Sequence, residues 1–228
     1  MKSLIIGTRG FLSTALLRKQ HKNNLFVNPD HLDSLSKETI ASIDKVILIS
    51  FDPNMKTSHG NDCILEKKIL KIFDSEKILI QYFSTSKVYP NLLDVNEETS
   101  LNPSSIYAEN KIIAEEFIVK NFKNFHIFRA SNIFNNFGGA PKTFLHNVLN
   151  NLKKGKIQFD VSIDSYRDFI STDFIFDILL YNESVKSGIY NLSSGIPIKI
   201  KEILNIIILN NNINRSSLYE SFDSDIIN

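Results

Sequence analysis

Short apolar segments alternate with longer amphipathic segments along most of the chain. Six short runs are typical of buried strands: Leu4–Ile6, Leu25–Val27, Val46–Ile49, Ile78–Phe83, His126–Phe128 and Ile189–Asn191. Three of the intervening segments have helical length: Gly10–Gln20, Asn61–Asp74 and one that begins at Asn102-Pro103, with the asparagine as cap and the proline in the first turn. This alternation predicts an α/β fold with a doubly wound parallel sheet.

Composition limits the classes of function. The 228 residues are 43% hydrophobic and 22% charged, which suits one large α/β domain or two small ones. A net charge of +1 gives no electrostatic attraction to nucleic acid or to an anionic membrane, and no apolar run approaches the roughly 18 residues of a membrane span. The single cysteine, Cys63, excludes an intramolecular disulfide. We therefore expect a soluble, cytoplasmic protein that binds small molecules or other proteins.

A glycine-containing turn joins the first predicted strand to the first predicted helix. It has the spacing G-x-x-G-x-x-S and runs Gly7-Thr8-Arg9-Gly10-Phe11-Leu12-Ser13. Glycines at these positions permit a sharp turn and the close approach of a pyrophosphate, while the helix N-terminus supplies amide donors and a positive dipole end. The predicted cofactor contacts are Gly7, Arg9, Gly10, Phe11 and Leu12. A tight turn without a ligand is the alternative interpretation.

The end of the second predicted strand bears on the choice of nicotinamide cofactor. That strand runs into Asn28-Pro29, and Asp30 lies beyond the proline, so the carboxylate that binds the ribose 2′-hydroxyl of NAD is missing from its usual position. Arg9 in the glycine loop is suited to a 2′-phosphate, which favours NADP over NAD. A solvated surface arginine is the alternative.

A phenol and an ammonium share one face of the helix that follows the fourth predicted strand. Tyr107 and Lys111 are four positions apart, and Thr85 lies at the end of that strand, where open parallel sheets bind ligands. A phenol suits acid/base chemistry at neutral pH only when a cation stabilises the phenolate, and Lys111 is such a cation. For Thr85 the alternative is a hydroxyl that caps the backbone.

Together these motifs resemble the extended short-chain dehydrogenase/reductase family, specifically its nucleotide-sugar epimerases, dehydratases and reductases. The glycine loop is similar to G-x-x-G-x-x-G, Ser84–Tyr89 to S-[ST]-x-x-V-Y, and Tyr107 with Lys111 to Y-x-x-x-K. Three later segments are similar to R-x-x-N-x-[YF], R-D-[FY]-I and G-x-Y-N-[VL]: Arg129–Phe134, Arg167–Ile170 and Gly188–Leu192. The six motifs occur in the family's order over nearly the whole chain.

The resemblance implies roles for individual residues. Tyr107 would be the general acid/base, Lys111 would hold the nicotinamide ribose and stabilise the phenolate, and Thr85 would hydrogen-bond the reacting oxygen. Three residues would contact the nucleotide sugar: Ser86, Asn132 and Arg167, the last through its diphosphate.

The resemblance also implies an architecture. It is a Rossmann-type core over residues 1–137 and a small C-terminal substrate lobe over residues 138–228, from which residues 166–192 return to the core. Arg129 and Asp168 are expected to be structural, because both lie near strand ends. Family members often pair through the helix that carries the tyrosine, so we expect a homodimer. Four apolar residues of that helix suggest the surface: Ile112, Ile113, Phe117 and Ile118.

Residues around Lys87 narrow the activity. The family's 4,6-dehydratases resemble T-D-E-V-Y where this chain has Thr85-Ser86-Lys87, which disfavours dehydration. The loop and the Val-Tyr-Pro ending look more like NADP-using 4-keto-sugar reductases, including the GDP-fucose synthase type, whose cysteine is replaced here by Lys87. We predict a reductase of a nucleotide-activated 4-keto sugar in surface polysaccharide sugar biosynthesis. The alternatives are a 4-epimerase with retained NAD and a cofactor-binding sensor or scaffold without catalysis.

Overall fold

The computed structural model describes residues 1–18, 23–50, 53–59, 65–92, 94–135, 143–153, 162–181 and 185–211. The strands are β1 (Ser3–Ile6), β2 (Asn24–Val27), β3 (Lys45–Leu48), β4 (Leu79–Thr85), β5 (Asn124–Ala130), β6 (Asn132–Phe134), β7 (Tyr166–Arg167), β8 (Phe169–Ser171), β9 (Gly188–Leu192) and β10 (Ile198–Lys199). The helices are α1 (Phe11–Arg18), α2 (Lys37–Ala41), α3 (Leu65–Leu70), α4 (Ile106–Asn121), α5 (Phe144–Lys153), α6 (Thr172–Tyr181) and α7 (Ile200–Asn210). None of these helices is long and apolar enough to cross a membrane.

Six of the strands form one sheet in the order β2-β1-β3-β4-β5-β9, and every pair is parallel. The sheet confirms the predicted α/β fold, and each predicted strand is present with its ends moved by one or two residues. Residues of β1 and β3 are buried throughout, which explains their continuous apolar runs. The chain leaves β1 for β2 on one side and returns to β3 on the other. Ligands bind at such a switch point in open α/β sheets.

The start of α4 differs from the prediction. The helix begins at Ile106, and Ser105 is its cap, with the hydroxyl oxygen accepting a hydrogen bond from Ala108 N at 3.3 Å. The backbone N–H of the predicted cap, Asn102, instead donates a hydrogen bond to Val88 O at 3.0 Å. Proline at 103 favours extended backbone at the preceding residue, Asn102, so the helix does not begin there. It begins after Ser105, whose side chain can cap it.

Two other helices have one boundary that differs from the prediction and one that lies outside the described residues. The first described helix begins at Phe11 rather than Gly10 and reaches Arg18, and residues 19–22, which include the predicted end, lie outside the described residues. The predicted start of the second, at residue 61, also lies outside them. That helix, α3, ends at Leu70 instead of residue 74, because tighter turns follow, with Ile72 N bonded to Ile69 O and Phe73 N to Leu70 O.

The chain divides into two compact units. The first comprises residues 1–130 and 172–192, and the second comprises residues 131–171 and 193–228. The first unit contains the six-stranded sheet, and its largest apolar cluster packs both the sheet strands and α4. The second contains the parallel pair β6 and β8, the antiparallel pair β7 and β10, and an apolar cluster between α5 and α7. The predicted boundary at residues 137 and 138 lies outside the described residues.

The apolar residues of α4 that were predicted to form a dimer surface differ in exposure. Ile118 is fully buried within its own unit, so its predicted place on that surface is wrong. Ile113 and Phe117 are half-buried against the same core. Val119 on the same helix is 46% exposed.

Candidate active site

The glycine loop brings the carboxyl ends of β1 and β3 together. Gly7 has φ +116°, and a Cβ on it would lie 2.8 Å from Ser50 N and 2.9 Å from Ser50 Cα. Its amide donates to Val27 O at 2.8 Å, which continues the ladder toward β2. Any other residue at this position would be strained and would clash with backbone. Gly7 therefore closes the loop at the switch point of the sheet.

Gly10 lies at the start of α1 under a different constraint. A Cβ there would find only ordinary contacts, 3.5 Å from Ser13 Oγ and 3.9 Å from Ile49 O. The fold itself therefore tolerates a side chain at Gly10, and its absence leaves room for a ligand to approach the backbone. Phe11 and Leu12 follow at the helix N-terminus, where the amides have no partner within the helix. This combination fits a bound pyrophosphate.

Ser13 replaces the third glycine of the motif and buries a polar group. Its side chain is fully buried, and its hydroxyl has no hydrogen-bond partner among the described residues. The small side chain still lets α1 pack on the sheet, but a buried hydroxyl without a partner is unfavourable.

A polar cluster flanks the loop at the end of β2. Asn28 Oδ1 accepts hydrogen bonds from Thr8 N at 3.0 Å and from Thr8 Oγ1 at 2.6 Å, so this residue holds the loop. Arg9 lies 3.9 Å from Asp30, and both side chains are 74% exposed. From the sequence, Asp30 was not expected to contact the cofactor, because it lies beyond Pro29. The 3₁₀ turn at Pro29–Ser34 returns its carboxylate to the loop, so Asp30 is a candidate contact that the motif comparison missed.

Thr85 ends β4 and begins the next turn. Its Oγ1 accepts a hydrogen bond from Lys87 N at 3.3 Å and caps the 3₁₀ turn Ser86–Val88. The capping alternative for Thr85 is therefore realised in the structure, but the hydroxyl still has its own hydrogen to donate. Thr85 and Ser86 are half-buried, and Lys87 is exposed.

Tyr107 and Lys111 project from the first half of α4. The Lys111 Nζ lies 5.9 Å from the centre of the Tyr107 ring, so the predicted phenol and ammonium are neighbours. Tyr107 is half-buried, whereas Lys111 is 4% exposed. The ammonium donates to Tyr82 Oη and to Phe83 O, both at 2.9 Å.

Buried polar groups that were not predicted from the sequence surround Lys111. Glu66 on α3 is 1% exposed, and its Oε1 lies 3.7 Å from Lys111 Nζ and accepts a hydrogen bond from Tyr82 Oη at 3.2 Å. Burial first, and the charge of Glu66 second, raise the pKa of Tyr82 well above its ordinary value, so this hydroxyl keeps its proton. A signal was present in the sequence. Glu66 has helical spacing to Ile69 and Leu70, which are both buried, and so lies on the apolar face of its helix.

A second buried network joins three of the family motifs. The Arg129 guanidinium binds Glu115 through contacts at 2.7, 3.1 and 3.3 Å and donates to Tyr89 Oη at 2.8 Å. Tyr89 in turn donates to Asn191 Oδ1 at 2.8 Å, and the Ser84 hydroxyl donates to Glu115. Burial opposes the charge of Arg129, but hydrogen bonds to Glu115 and Tyr89 outweigh it and raise the pKa above its ordinary value. These contacts support the structural role expected for Arg129.

The predicted substrate residues Asn132 and Arg167 lie in the second unit. The side-chain Nδ2 of Asn132 donates a hydrogen bond to Asp168 O at 3.0 Å, and the backbone N–H of Asn132 donates to the same oxygen at 3.2 Å. The Asp168 carboxylate accepts from Ser131 and Ser194, which supports its expected structural role. Arg167 is half-buried, and within the described parts of the chain its guanidinium has no hydrogen bond or ion pair. It is thus available to an anionic ligand.

Residues 50–192, more than half of the chain, match the family model described as the NAD dependent epimerase/dehydratase family. The chain belongs to this family. Its members are NAD(P)-dependent enzymes of the extended short-chain dehydrogenase/reductase type, which confirms both the resemblance and the expectation of an enzyme. The matched segment includes Thr85, Tyr107 and Lys111 and begins after the glycine loop. No curated protein matches the chain in sequence.

Solved structures with the same fold carry different activities. A dTDP-glucose 4,6-dehydratase from Bacillus anthracis in complex with NAD is 18% identical, with TM-score 0.75 over 95% of this chain and 83% of that one. A dTDP-4-dehydrorhamnose reductase from Clostridium acetobutylicum is 18% identical, with TM-score 0.72 over 93% and 81%. A UDP-N-acetylglucosamine 4-epimerase from Methanobrevibacter ruminantium is 16% identical, with TM-score 0.70 over 93% and 83%. At these identities the likeness shows the fold alone.

The residues present fit the nicotinamide cofactor that the family implies. Gly7 closes the loop, the space beside Gly10 is not needed by the fold, and the first amides of α1 have no partner within the helix. By contrast, among the described residues no group of three or more His, Cys, Asp or Glu side chains could hold a metal ion.

Proposed function

We propose that this enzyme is an NAD(P)-dependent reductase of a nucleotide-activated 4-keto sugar, acting in the synthesis of sugars for surface polysaccharides. The observation that carries the proposal is the neighbourhood of Tyr107 and Lys111 on α4, with 5.9 Å between the ammonium and the ring centre, beside the strand that ends in Thr85. Family membership supports the nicotinamide chemistry. It leaves the specific sugar open.

The chemistry follows from these three side chains. Bound nicotinamide would supply the hydride that reduces the C4 carbonyl carbon. Tyr107 donates its phenolic proton to the carbonyl oxygen, which becomes the product hydroxyl, and regains a proton from solvent. The Lys111 ammonium stabilises the phenolate that remains, and Thr85 donates its hydroxyl hydrogen to the same substrate oxygen.

Binding of the nucleotide sugar is assigned to Ser86, Asn132 and Arg167. The free guanidinium of Arg167 suits the diphosphate, because charge-assisted bidentate contacts are strong and geometrically specific. The second unit would therefore serve as the substrate lobe.

For the cofactor we propose NADP, on the basis of Arg9 in the glycine loop. Arg9 is 74% exposed and its ion pair with Asp30 is long, at 3.9 Å, and a guanidinium is well suited to a 2′-phosphate. Asp30 itself supports the second candidate function, a 4-epimerase with retained NAD, because its carboxylate can accept a hydrogen bond from a ribose 2′-hydroxyl. Thr85, Tyr107 and Lys111 would serve either activity.

The decisive experiment is the oxidation of NADPH, followed spectroscopically, against a panel of nucleotide-linked 4-keto sugars. Oxidation with one member of the panel is the expected result. Interconversion of nucleotide sugars at C4 without net consumption of NADPH would identify the epimerase instead. A protein that binds the cofactor and performs neither reaction would be a sensor or scaffold.

We further propose a homodimer formed through α3 and α4. Val119 on α4 and Ile72 just after α3 are 46% and 41% exposed, and half-buried Ile112 and Phe117 add apolar area. Light scattering at micromolar concentration is expected to give twice the 26.0 kDa mass of the chain, and Val119→Lys is expected to weaken that association. A 26.0 kDa particle in the parent protein would overturn this proposal.

A further inference from the structure

Glu66 is a buried acid to which neither the family motifs nor the reaction described above gives a role. Its residue is 1% exposed, although it begins a charged stretch, Glu66-Lys67-Lys68, that would ordinarily face solvent. One carboxylate oxygen accepts the Tyr82 hydroxyl, and the other has no hydrogen-bond partner among the described residues. Burial of a carboxylate costs free energy unless the charge is paired and hydrogen-bonded.

The surroundings of Lys111 show where that charge acts. The ammonium donates two of its three hydrogens to neutral oxygens, Tyr82 Oη and Phe83 O. Neither of these acceptors carries a charge, because the raised pKa of Tyr82 keeps its hydroxyl protonated. Glu66, with Oε1 at 3.7 Å, is the anion that opposes the buried ammonium. Without it, Lys111, which is 4% exposed, would lose the carboxylate with which it forms an ion pair.

The direction of the hydrogen bonds links the three side chains. Lys111 donates to Tyr82, and Tyr82 donates to Glu66, so the tyrosine hydroxyl transmits the position of the carboxylate to the ammonium. Chains of this kind strengthen each member, because each donor is polarised by the next acceptor. The same ammonium faces the Tyr107 ring at 5.9 Å.

We propose that Glu66 is a positioning residue, which acts through Tyr82 to hold the Lys111 ammonium, charged, beside Tyr107. This inference rests on the proposed function, in which Lys111 stabilises the phenolate, and on the contact with the cofactor ribose that the family resemblance implies for Lys111. Glu66 touches neither substrate nor cofactor in this role. Replacement of Glu66 therefore affects the reaction only by changing the position of Lys111.

A double-mutant cycle on cofactor affinity tests this dependence. The proteins are the parent, Glu66→Gln, Lys111→Met and the double variant, and the measurement is NADPH dissociation by fluorescence titration. We expect Glu66→Gln to weaken NADPH binding by about tenfold, and to weaken it no further once Lys111 is methionine. In turnover, kcat is expected to fall by about tenfold or more with the KM of the sugar unchanged.

Glu116→Gln is the matched control, because it removes the same charge from an exposed position on α4 and should leave the affinity unchanged. If Glu66→Gln does not fold by circular dichroism, Tyr82→Phe removes the linking hydroxyl, and should weaken NADPH binding only while Lys111 is present. Independent effects of Glu66 and Lys111, or unchanged affinity in the folded Glu66→Gln or Tyr82→Phe protein, would overturn the inference. A parent protein that binds neither NADPH nor NADH would instead refute the proposed function.

Discussion

Two buried carboxylates, Glu115 on α4 and Glu66 on α3, are hydrogen-bonded to very different degrees. Glu115 is surrounded by donors: both of its oxygens accept hydrogen bonds from the Arg129 guanidinium, and one of them also accepts the Ser84 hydroxyl. Glu66 receives one hydrogen bond, from Tyr82, and approaches Lys111 only to 3.7 Å. The two ion pairs lie in the same unit, and Lys111 and Glu115 are one helical turn apart.

This difference in hydrogen bonding suggests that one ion pair stabilises the fold and that the other serves the reaction. The pair of Glu115 and Arg129 joins β4, β5 and α4, and both carboxylate oxygens of Glu115 already accept hydrogen bonds. The pair of Glu66 and Lys111 retains an unused carboxylate oxygen, an ammonium hydrogen without a hydrogen bond among the described residues, and a phenol beside it. We infer that the first pair is structural and that the second serves the reaction.

Removal of the structural pair should produce the largest effect on stability. Glu115→Gln leaves the Arg129 charge buried without its partner, so the free energy of unfolding should fall by about 3–5 kcal/mol. Chemical denaturation monitored by circular dichroism measures the loss. Where the variant is folded, its affinity for NADPH should match that of the parent, and a stability equal to that of the parent would contradict the structural assignment.

Removal of the functional cation should act mainly on the reaction. Lys111→Met should reduce turnover by about 10²-fold or more, because the phenolate loses its stabilising charge, and should weaken NADPH binding as well. Steady-state kinetics and fluorescence titration separate the two effects. Thr85→Ala is the companion variant, since it should reduce turnover and leave cofactor affinity intact. A Lys111→Met enzyme with the parental kcat would contradict the functional role of the Glu66–Lys111 pair.

A third ion pair, exposed rather than buried, extends the comparison to cofactor choice. Arg9 and Asp30 are both 74% exposed, so neither Arg9→Ala nor Asp30→Asn should change stability measurably. Arg9→Ala should weaken NADPH binding about tenfold and NADH binding much less, because a charge-assisted bond to the 2′-phosphate is lost. Asp30→Asn should shift the preference further toward NADPH. Calorimetry that gives equal NADPH and NADH affinities in the parent protein would remove the basis for the Arg9 assignment.

The sheet and the loop were predictable because their requirements are local. Buried parallel strands need continuous apolar runs, and the turn after β1 needs a glycine where backbone approaches within 2.8 Å of a Cβ position, so both features appear directly in the sequence. Tyr107 and Lys111 were also predictable, because their spacing on a helix is local.

Features set by tertiary contacts were not predictable in the same way. Asn102 looked like a helix cap, but its amide is bonded to Val88 O and the helix starts after Ser105. Asp30 was dismissed because of its distance from the strand end, yet the turn that begins at Pro29 returns it to the loop. Glu66 was overlooked because a carboxylate on an apolar helix face is interpretable only when its partners from β4 and α4 are known.

The central claim is that Tyr107 exchanges a proton with the substrate oxygen, and Tyr107→Phe tests it most directly. The substitution removes only the hydroxyl from a half-buried ring, so the fold and the affinity for NADPH should be preserved. Turnover of the nucleotide-linked 4-keto sugar should fall by about 10²–10⁴-fold, which is the usual contribution of general acid/base catalysis. Turnover at the parental rate would contradict the mechanism and make the non-catalytic, cofactor-binding function the better explanation.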